Sequence, residues 1–416
     1  MQRPHVVIVG AGFGGLACAK ALRHVAVDVT IVERTNYHLF QPLLYQVASG
    51  LLDPSEIAHP VRSIMRRSRN VHVVMAEATG VDLAGRRLMT RNGSMSYDTL
   101  VLAAGSVTDY FGKEGVSAKT EGLKFLDEAL ALRSHLLRNF ELAAKCSDKT
   151  SRQRLLTFAV VGGGPTGVEY AGAVAELINH VLPRDYPEID FSRVHVMLLE
   201  AGERLLPTFS PGLSRAALRH LRSKHIDVRL NTALRDIDAD EMVLQDGQRI
   251  RSAMVVWTAG VHAQPLGSTM GVATQRHGRL RVTKSLHLPE HPEVFVIGDM
   301  AEIGSPAGPL PMLAPVAIQG GQHVARVIEH RLAGVPDDVF RYRDKGTMAT
   351  IGRGQAVAQI GPVHIDGLIG WLMWLFVHFI YLIGFRSRVI ALMSWAWNYF
   401  FYDRPVRLIT MPPDAE

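Results

Sequence analysis

Two stretches of the chain share one pattern of apolar and small residues. Each begins with a run of apolar, partly β-branched residues, continues through a glycine-rich turn and ends in a second run of small and apolar residues. The stretches are HVVIVGAGFGGLACAKALRH (5–24) and LTFAVVGGGPTGVEYAGAVAEL (156–177). The first run is typical of a buried strand and the second of a closely packed helix. The pattern predicts an α/β fold with two parallel strand–turn–helix units.

The glycines of both turns have the GxGxxG spacing that binds the pyrophosphate of a dinucleotide. They are Gly10, Gly12 and Gly15 in the first turn, and Gly162, Gly164 and Gly167 in the second. Within each set, the first allows a sharp turn, the second admits a pyrophosphate, and the third lets helix and strand pack closely. Glu33 and Glu200 end the following strands, where a carboxylate can hold a ribose hydroxyl. We predict two Rossmann-like dinucleotide-binding domains, with a purely structural glycine turn as the alternative.

Two dinucleotide sites in one chain favour bound FAD together with NAD(H). DTLVLAAGS (98–106) and SAMVVWTAGV (252–261) each predict a buried strand that ends in small residues, at Ala104-Gly105 and at Gly260. In VFVIGDMAE (294–302), Asp299 either hydrogen-bonds a ribityl hydroxyl of the flavin or caps the strand end. Glu200 would repel a 2′-phosphate and so favours NADH over NADPH, although Arg204 close by weakens that preference.

The segment around Asp299 has to return to the first sheet to contact the same flavin. The nicotinamide domain is therefore predicted to be inserted into the flavin domain. We place the flavin domain at 1–112 and 289–335, the nicotinamide domain at 113–288 and a C-terminal region at 336–416. Within the second domain, residues 134–145 predict an amphipathic connecting helix, and 148–154 predict a polar link.

Composition excludes several classes of function. The net charge of +6 comes without a long basic run, so nucleic-acid binding is not expected. Cys18 and Cys146 are far apart and the 18 histidines are scattered, which supports neither a disulfide framework, nor a thiol relay, nor a metal site. The apolar run His5–Val9 begins almost at the first methionine, so we expect no signal or transit peptide and a reducing, cytoplasm-facing environment.

Residues 367–385, GLIGWLMWLFVHFIYLIGF, contain no charged side chain and are long enough to cross a bilayer. On a single helix, the rings and polar atoms would share one face, made of Trp371, Trp374, His378, Tyr381 and Phe385. Tryptophan and tyrosine in the middle of the segment favour an amphipathic helix that lies in the membrane interface, with its polar atoms turned toward head groups or protein. A membrane span and a buried core or dimer helix are the alternatives.

A second apolar stretch, VIALMSWAWNYFFY (389–402), is too short to cross a bilayer. It is bracketed by arginines that can contact lipid phosphates, namely Arg386, Arg388, Arg404 and Arg407. We therefore predict a C-terminal membrane-anchoring region and peripheral, monotopic attachment.

Longer stretches of the chain resemble the type II NADH:quinone oxidoreductases, the single-subunit alternative NADH dehydrogenases. The matching stretches are NYHLFQPLLYQVASG (36–50), LVLAAGSVTDYFG (100–112), VVGGGPTGVEYAG (160–172), FVIGDMA (295–301), APVAIQGGQHVA (314–325) and WLMWLFVHFIYLIGFRSR (371–388). The resemblance implies FAD that is reduced by NADH and reoxidised by a membrane quinone, without proton pumping. We also expect a homodimer on the cytoplasmic face of the cell membrane.

The resemblance suggests roles for residues near the flavin and nicotinamide. Glu169, in the first turn of the second nucleotide helix, would orient the nicotinamide and help protons reach the reduced quinone; alternatively, it only favours the helix dipole. His38 and Gln41 would line the flavin, or serve a turn or the core. Ala314 and Pro315 begin a helix whose N-terminus would stabilise the anionic reduced flavin.

The resemblance is incomplete where the family contacts the quinone. Many members have glutamines at the positions of Pro315 and Gly320, so only Gln319 can supply a glutamine contact here. Lys345 would act near the quinone head group, with an exposed loop lysine as the alternative.

Two other functions stay open at this stage. One is a flavoprotein reductase of another acceptor, such as a sulfide:quinone or ferredoxin reductase, and the missing cysteine pair counts against the sulfide type. The other is a membrane-docked NADH-sensing flavoprotein with slow turnover.

Overall fold

The computed structural model describes residues 3–306 and 308–410, which divide into two compact units. The first unit takes in the described residues of 1–39, 58–107 and 261–345, and the second those of 40–57, 108–260 and 346–416. These units differ from the predicted domains, because 40–57 and 346–416 group with the second glycine turn and 261–288 group with the first. The predicted domain bounds stay a prediction.

A five-stranded parallel sheet forms the centre of the first unit. Its strands, in spatial order, are Val294–Val296, Thr99–Leu102, His5–Val9, Asp28–Glu33 and Val71–Met75. The central strands are almost completely buried, as their continuous apolar runs predict for a parallel sheet covered on both faces. The strand before Asp299 does join this sheet, as predicted.

Two helices of the first unit pack closely through glycines. Phe13–Leu22 follows the first glycine turn, and Ala314–Leu332 is the helix predicted from Pro315. A Cβ atom at Gly321 would lie 2.2 Å from the carbonyl oxygen of Gly14, so only glycine permits this approach. The long helix is thereby held against the nucleotide helix.

Shorter elements complete the first unit. Its remaining helical segments are Val61–Met65, Pro265–Met270, Arg276–Gly278 and Gly298–Met300. Its remaining strands are Tyr37–Leu39, Ala58–Pro60, Ala78–Asp82, Arg87–Thr90, Gly93–Ser96, Val261–Ala263, Leu280–Arg281, Ala301–Glu302, Gly304–Ser305 and Gly308–Pro309, while Ser106–Thr108 lies where the chain leaves the unit.

The second unit repeats the same architecture. Its parallel sheet has the order Glu121–Gly122, Met254–Trp257, Thr157–Val161, His195–Leu199 and Ile226–Arg229. The helix Pro165–Glu176 follows the second glycine turn and has Pro165 in its first turn, where a missing N–H costs no hydrogen bond. The predicted α/β fold with two Rossmann-like sheets is confirmed.

Other helices and strands surround this second sheet. The helical segments are Gln41–Leu43, Leu44–Ala48, Pro54–Ile57, Glu114–Ser117, Leu126–Lys145, Lys149–Leu155, Leu177–Val181, Leu182–Asp185, Phe191–Arg193 and Pro211–Ser223. Leu234–Asp238, Glu241–Leu244 and Arg249–Arg251 form one antiparallel sheet, and Thr347–Gly352, Gln355–Ile360 and Val363–Asp366 form another.

Two local predictions in this unit need correction. The connecting helix is longer than predicted, because it begins at Leu126 rather than at residue 134. The predicted polar link at 148–154 is wrong, since Lys149–Leu155 is a helix. The side chain of Asp148 caps this helix by accepting a hydrogen bond from the Ser151 N–H at 2.7 Å.

The chain ends in two helices, Gly367–Tyr381 and Phe385–Phe401, which we call the tail helices. The predicted uninterrupted helix is wrong, because Leu382 is extended and Gly384 has φ +87°. Phe385 therefore begins the second tail helix, where it is 83% exposed, and does not share a face with Trp374. None of the helices among the described residues has both the length and the apolar character needed to cross a bilayer.

Each tail helix has one face against the second unit and one exposed apolar face. Trp374 and Trp395 are buried on the inner faces. The outer faces expose large apolar side chains, among them Leu368, Ile369, Leu372, Phe376, Ile380, Leu392, Met393, Trp397, Phe400 and Phe401. We call these residues the exposed tail face.

Candidate active site

The first glycine turn has the geometry that a dinucleotide needs. Gly10 has φ +100°, and a Cβ atom there would lie 2.4 Å from the carbonyl oxygen of Ala103. A Cβ atom at Gly15 would lie 1.9 Å from the carbonyl oxygen of Gly10. At Gly12, in contrast, a Cβ atom would meet no described atom within 4 Å. The turn is closed on the protein side and open above Gly12, at the N-terminus of a helix, as pyrophosphate binding requires.

Glu33 and His38 hold this turn from two sides. The Glu33 carboxylate accepts hydrogen bonds from the N–H groups of Ala11, at 2.6 Å, and Thr35, at 3.1 Å. His38 is buried, and burial lowers its pKa to about 4, so the ring is neutral. Its Nδ1 lies 2.7 Å from the carbonyl oxygen of Ala11 and therefore carries the hydrogen. The predicted ligand His38 supports the glycine turn.

Other residues predicted to contact the flavin also lie in the first unit. Asp299 accepts a hydrogen bond from the Ser106 hydroxyl at 2.5 Å. Gly105 has φ +74°, and its carbonyl oxygen accepts the N–H of Gln264 at 3.0 Å. Ala314 and Pro315 form the first turn of their helix, and no described side chain caps it. These groups are of the kinds that bind a ribityl chain and a negatively charged ring.

The second glycine turn reproduces the first. Gly162 has φ +112°, a Cβ atom at Gly167 would lie 1.9 Å from the carbonyl oxygen of Gly162, and one at Gly164 would meet no described atom within 4 Å. The Glu200 carboxylate accepts the N–H groups of Gly163, at 2.6 Å, and Gly202, at 2.7 Å. The second unit therefore also fits a dinucleotide.

Two residues near this turn bear on nucleotide choice and access. The Arg204 guanidinium donates to the carbonyl oxygens of Pro207, at 2.7 Å, and Phe209, at 3.3 Å. Two backbone carbonyl groups thus hold the Arg204 guanidinium. A Cβ atom at Gly260 would lie 2.6 Å from the ring of Phe111, so the absence of a side chain at 260 makes room for that ring.

Glu169 lines a cavity of about 50 Å³ within the second unit. Its carboxylate accepts the N–H of Thr350 at 3.2 Å. Burial raises its pKa to about 8, and the Thr350 hydrogen bond and the indole N–H of Trp374 oppose the rise only in part. The indole lies beside the carboxyl group, although it makes no hydrogen bond of normal geometry to a described atom. At neutral pH, Glu169 is mostly protonated.

The remainder of the cavity wall is aromatic and charged. Besides Glu169, it consists of Tyr45, Gln46, Leu51, Ala173, Glu176, Thr350, Gly352, Arg353, Trp371, Trp374, Leu375, Trp395, Asn398, Tyr399 and Arg404. Among the ionisable residues of this cavity wall, Glu169 is the one for which the sequence predicts a role at the nicotinamide and quinone. Tyr45 and Gln46 belong to the stretch 36–50, whose resemblance was the available signal.

Arg404 does not contact solvent, so its predicted role at lipid phosphates is wrong. It is 1% exposed and donates to the carbonyl oxygens of Ser49, at 2.9 Å, and Ala173, at 3.0 Å. Its guanidinium lies 3.5 Å from the Glu176 carboxylate, which also pairs with Lys224 at 2.8 Å. Burial lowers the pKa of Arg404 to about 10.

The other bracketing arginines differ in exposure. Arg407 pairs with Asp185 at 2.8 Å, and Arg388 donates to the carbonyl oxygens of Leu382 and Ile380. Arg386 is exposed.

Three further predicted site residues have structural partners or lie on the surface. The Gln319 amide donates to the carbonyl oxygen of Arg343 at 2.9 Å and accepts its N–H at 3.0 Å. Lys345, two residues later, is exposed. Gln41 donates to the carbonyl oxygen of Lys124 at 3.2 Å, within the second unit. The predicted ligand roles of these residues stay predictions.

Two glutamate-closed glycine turns on two parallel sheets define a flavoprotein class with two dinucleotide sites. Residues 4–321 match the family model described as pyridine nucleotide-disulphide oxidoreductase. Despite the family's title, no cysteine pair is present, and burial raises the pKa of the Cys18 thiol to about 12.

Comparison with known proteins narrows the class. The chain is 42% identical over 409 residues to type II NADH:quinone oxidoreductase Ndh of Mycobacterium tuberculosis. This alignment covers 95% of this chain and 88% of the relative. It is 41% identical over 410 residues to NdhA of the same organism, with 94% and 86% covered. The structure of NDH2 from Plasmodium falciparum in complex with NADH has a TM-score of 0.90 at 21% identity, covering 97% and 100%. The chain belongs to the type II NADH:quinone oxidoreductases.

Proposed function

We propose that this protein oxidises NADH and reduces a membrane quinone, without pumping protons. The observation that carries the proposal is the matched pair of glycine turns in a chain of this family, each closed by a glutamate at 2.6 Å. When bound, FAD supplies the redox chemistry, accepting a hydride from NADH and giving two electrons to the quinone. The first unit would hold FAD and the second unit NADH.

The protein's own groups bind and orient the two nucleotides. Gly12 and Gly164 leave space for pyrophosphates at helix N-termini, whose partial positive charge favours phosphate. Glu33 and Glu200 would each orient a ribose while they hold their glycine turns. The uncapped start of Ala314–Leu332 would stabilise negative charge on the reduced flavin ring.

Glu169 is the proposed proton donor for quinone reduction. A quinone that takes up two electrons also takes up two protons, and a carboxyl group with a pKa of about 8 holds one at neutral pH. The same side chain would orient the nicotinamide. Gln319 and Lys345 would contact the quinone head group, and the two hydrogen bonds of Gln319 to Arg343 support a fixed position for the segment that carries Lys345.

The proposed membrane partner is the bilayer surface. The exposed tail face supports this proposal, because apolar side chains such as Ile369 and Phe400, 68% and 71% exposed, gain about 1.5 to 3 kcal/mol each when fully buried. Attachment would be peripheral, on the cytoplasmic face of the cell membrane, and the protein would be a homodimer. Light scattering in detergent tests the dimer, and protease access in inverted vesicles tests the face.

Steady-state kinetics test the proposed activity. The purified, detergent-solubilised protein is expected to oxidise NADH rapidly only when a water-soluble quinone is added, and NADPH much more slowly. Slow oxidation that is independent of quinone would favour the NADH-sensing alternative and contradict the proposal.

Glu200→Gln is expected to raise the ratio of NADPH to NADH turnover about tenfold, because it removes a negative charge facing a 2′-phosphate. The one oxygen of the glutamine amide can still accept the Gly163 N–H and hold the glycine turn, while the Gly202 N–H loses its acceptor. The ratio of kcat/KM values for the two nucleotides is the measurement. Glu33→Gln, the matching change in the first turn, serves as the control and should lower FAD content without changing that ratio. An unchanged ratio in Glu200→Gln would contradict the assignment.

A further inference from the structure

Three buried polar side chains of the second unit form a hydrogen-bonded chain. The Trp395 indole N–H donates to Gln46 Oε1 at 2.8 Å, and Gln46 Nε2 donates to the Tyr45 hydroxyl oxygen at 2.7 Å. Tyr45, Gln46 and Trp395 are 4%, 3% and 6% exposed. Trp395 belongs to the second tail helix, so the chain connects that helix to Tyr45.

The chemistry of these groups determines the direction of each hydrogen bond. An indole N–H can only donate, so the Gln46 atom that faces Trp395 must be the oxygen. The amide nitrogen then faces Tyr45, and the hydroxyl oxygen must accept. The hydrogen of the Tyr45 hydroxyl consequently points away from Gln46.

Tyr45 and Glu169 line the same cavity. The pKa of Tyr45 is raised well above its ordinary value, mainly by burial and next by the charge that Glu169 carries when it is ionised, so the Tyr45 hydroxyl stays protonated. A cavity of about 50 Å³ also has room for a bridging water molecule.

The remaining charged groups around the cavity have partners of their own. Glu176 pairs with Lys224 and Arg404, and Arg353 stacks over the rings of Tyr399 and Tyr402 at 4.2 Å. Glu176 and Arg404 act on Tyr45 in opposite directions. Removal of the Tyr45 hydroxyl therefore changes the surroundings of Glu169 without removing a charge.

We propose that Tyr45 is a positioning residue for Glu169, and that Gln46 and Trp395 hold its hydroxyl so that it donates toward the Glu169 carboxylate, directly or through one water molecule. This inference rests on the proposed function, in which Glu169 supplies a proton. The second tail helix thereby helps to set the proton affinity of the acid.

Tyr45→Phe tests the proposal, because it removes the hydroxyl and keeps the ring. The loss of one hydrogen bond to the carboxylate is expected to raise the apparent pKa of Glu169 by about 0.5 to 1 unit. Two measurements report it: the pH profile of reoxidation of the NADH-reduced protein by a water-soluble quinone, and the pH titration of the infrared carboxylic acid band that Glu169→Gln removes. Trp395→Phe, which releases Gln46, should shift both in the same direction by less.

Controls separate a positioning role from a structural one. Tyr186→Phe also removes a tyrosine hydroxyl that donates to a glutamate, in this case to exposed Glu141, and should shift neither titration. Tyr45→Phe in the Glu169→Gln background should cause no further shift. A Tyr45→Phe protein with an unchanged titration, whatever its melting temperature, overturns the proposal. If Tyr45→Phe fails to retain flavin, an unchanged titration in Trp395→Phe overturns it. Absence of NADH-dependent quinone reduction in the wild type would instead overturn the proposed function.

Discussion

Glu169→Gln is expected to slow quinone reduction by about 100-fold while FAD and NADH still bind. General acid catalysis contributes about 10² to 10⁴ in rate, and glutamine cannot release a proton. Its amide oxygen can still accept the Thr350 N–H, so the local fold is kept. Stopped-flow measurement of flavin reduction by NADH and of reoxidation by a water-soluble quinone separates the two half-reactions. The wild-type reoxidation rate should fall as pH rises through about 8, where Glu169 loses its proton.

Glu141→Gln is the matched control, since Glu141 is exposed and belongs to the same unit. It should leave both half-reactions unchanged. Wild-type rates in both half-reactions of Glu169→Gln would contradict a role for Glu169 as proton donor.

The stability of the protein gives an independent check on the same side chain. Folding raises the pKa of Glu169 from 4.5 to about 8, so the folded state binds the proton more tightly than the unfolded state. The contribution of Glu169 to the free energy of unfolding is complete below about pH 4.5 and is lost as pH rises toward 8. Glu169→Gln lacks this loss, so its melting temperature relative to wild type should increase between about pH 5 and about pH 9. A constant difference would show that Glu169 is not buried as an acid.

Replacing four residues of the exposed tail face by serine is expected to release most of the protein from membranes without unfolding it. The residues are Leu372, Phe376, Met393 and Phe400, which are between 53% and 71% exposed. If each loses about 1 kcal/mol of lipid burial, the four together weaken membrane partitioning about 700-fold. Vesicle co-sedimentation measures the partitioning, and flavin content and thermal melting verify the fold.

A control substitution makes this result specific, and it is more informative than a deletion of the tail. Serine at Met75 and Met89, exposed apolar residues of the first unit, should leave co-sedimentation unchanged. Ending the chain after Pro362 is a poorer test, because it removes Trp374, Trp395 and Arg404 from the interior and is expected to unfold the second unit. Co-sedimentation of the four-serine protein at the wild-type level would refute attachment through the exposed tail face.

Features that depend on a few neighbouring residues could be predicted from the sequence. The glycine turns are the best example: the crowding at Gly10 and Gly15 and the open space at Gly12 follow from GxGxxG spacing between a strand and a helix. Two further local signals in the sequence indicate where helices begin and end. Asp148 has the residue type and position of a helix cap, and Gly384 marks the break between the tail helices.

The cavity around Glu169 could not be predicted in the same way, because its walls come from distant parts of the chain. Trp395 contacts Gln46 across 349 positions, and Arg404 contacts Ala173 across 231. In the sequence, Arg404 follows an apolar helix, which is typical of a residue that contacts lipid. Only the fold shows that Glu176 and the carbonyl oxygen of Ser49 surround its side chain. Hydrophobic periodicity carries no information about such pairs.

The burial of Arg404 has a consequence for biosynthesis. The second unit encloses the side chain of Arg404 against Ser49 and Ala173, so the ribosome must have made residue 404 before this part of the interior can close. Until then, the carbonyl groups that Arg404 satisfies and the inner face of the tail helices stay open to water or to chaperones. A nascent chain can therefore complete the Glu169 cavity only after both tail helices, which precede Arg404 in the chain, have been synthesised.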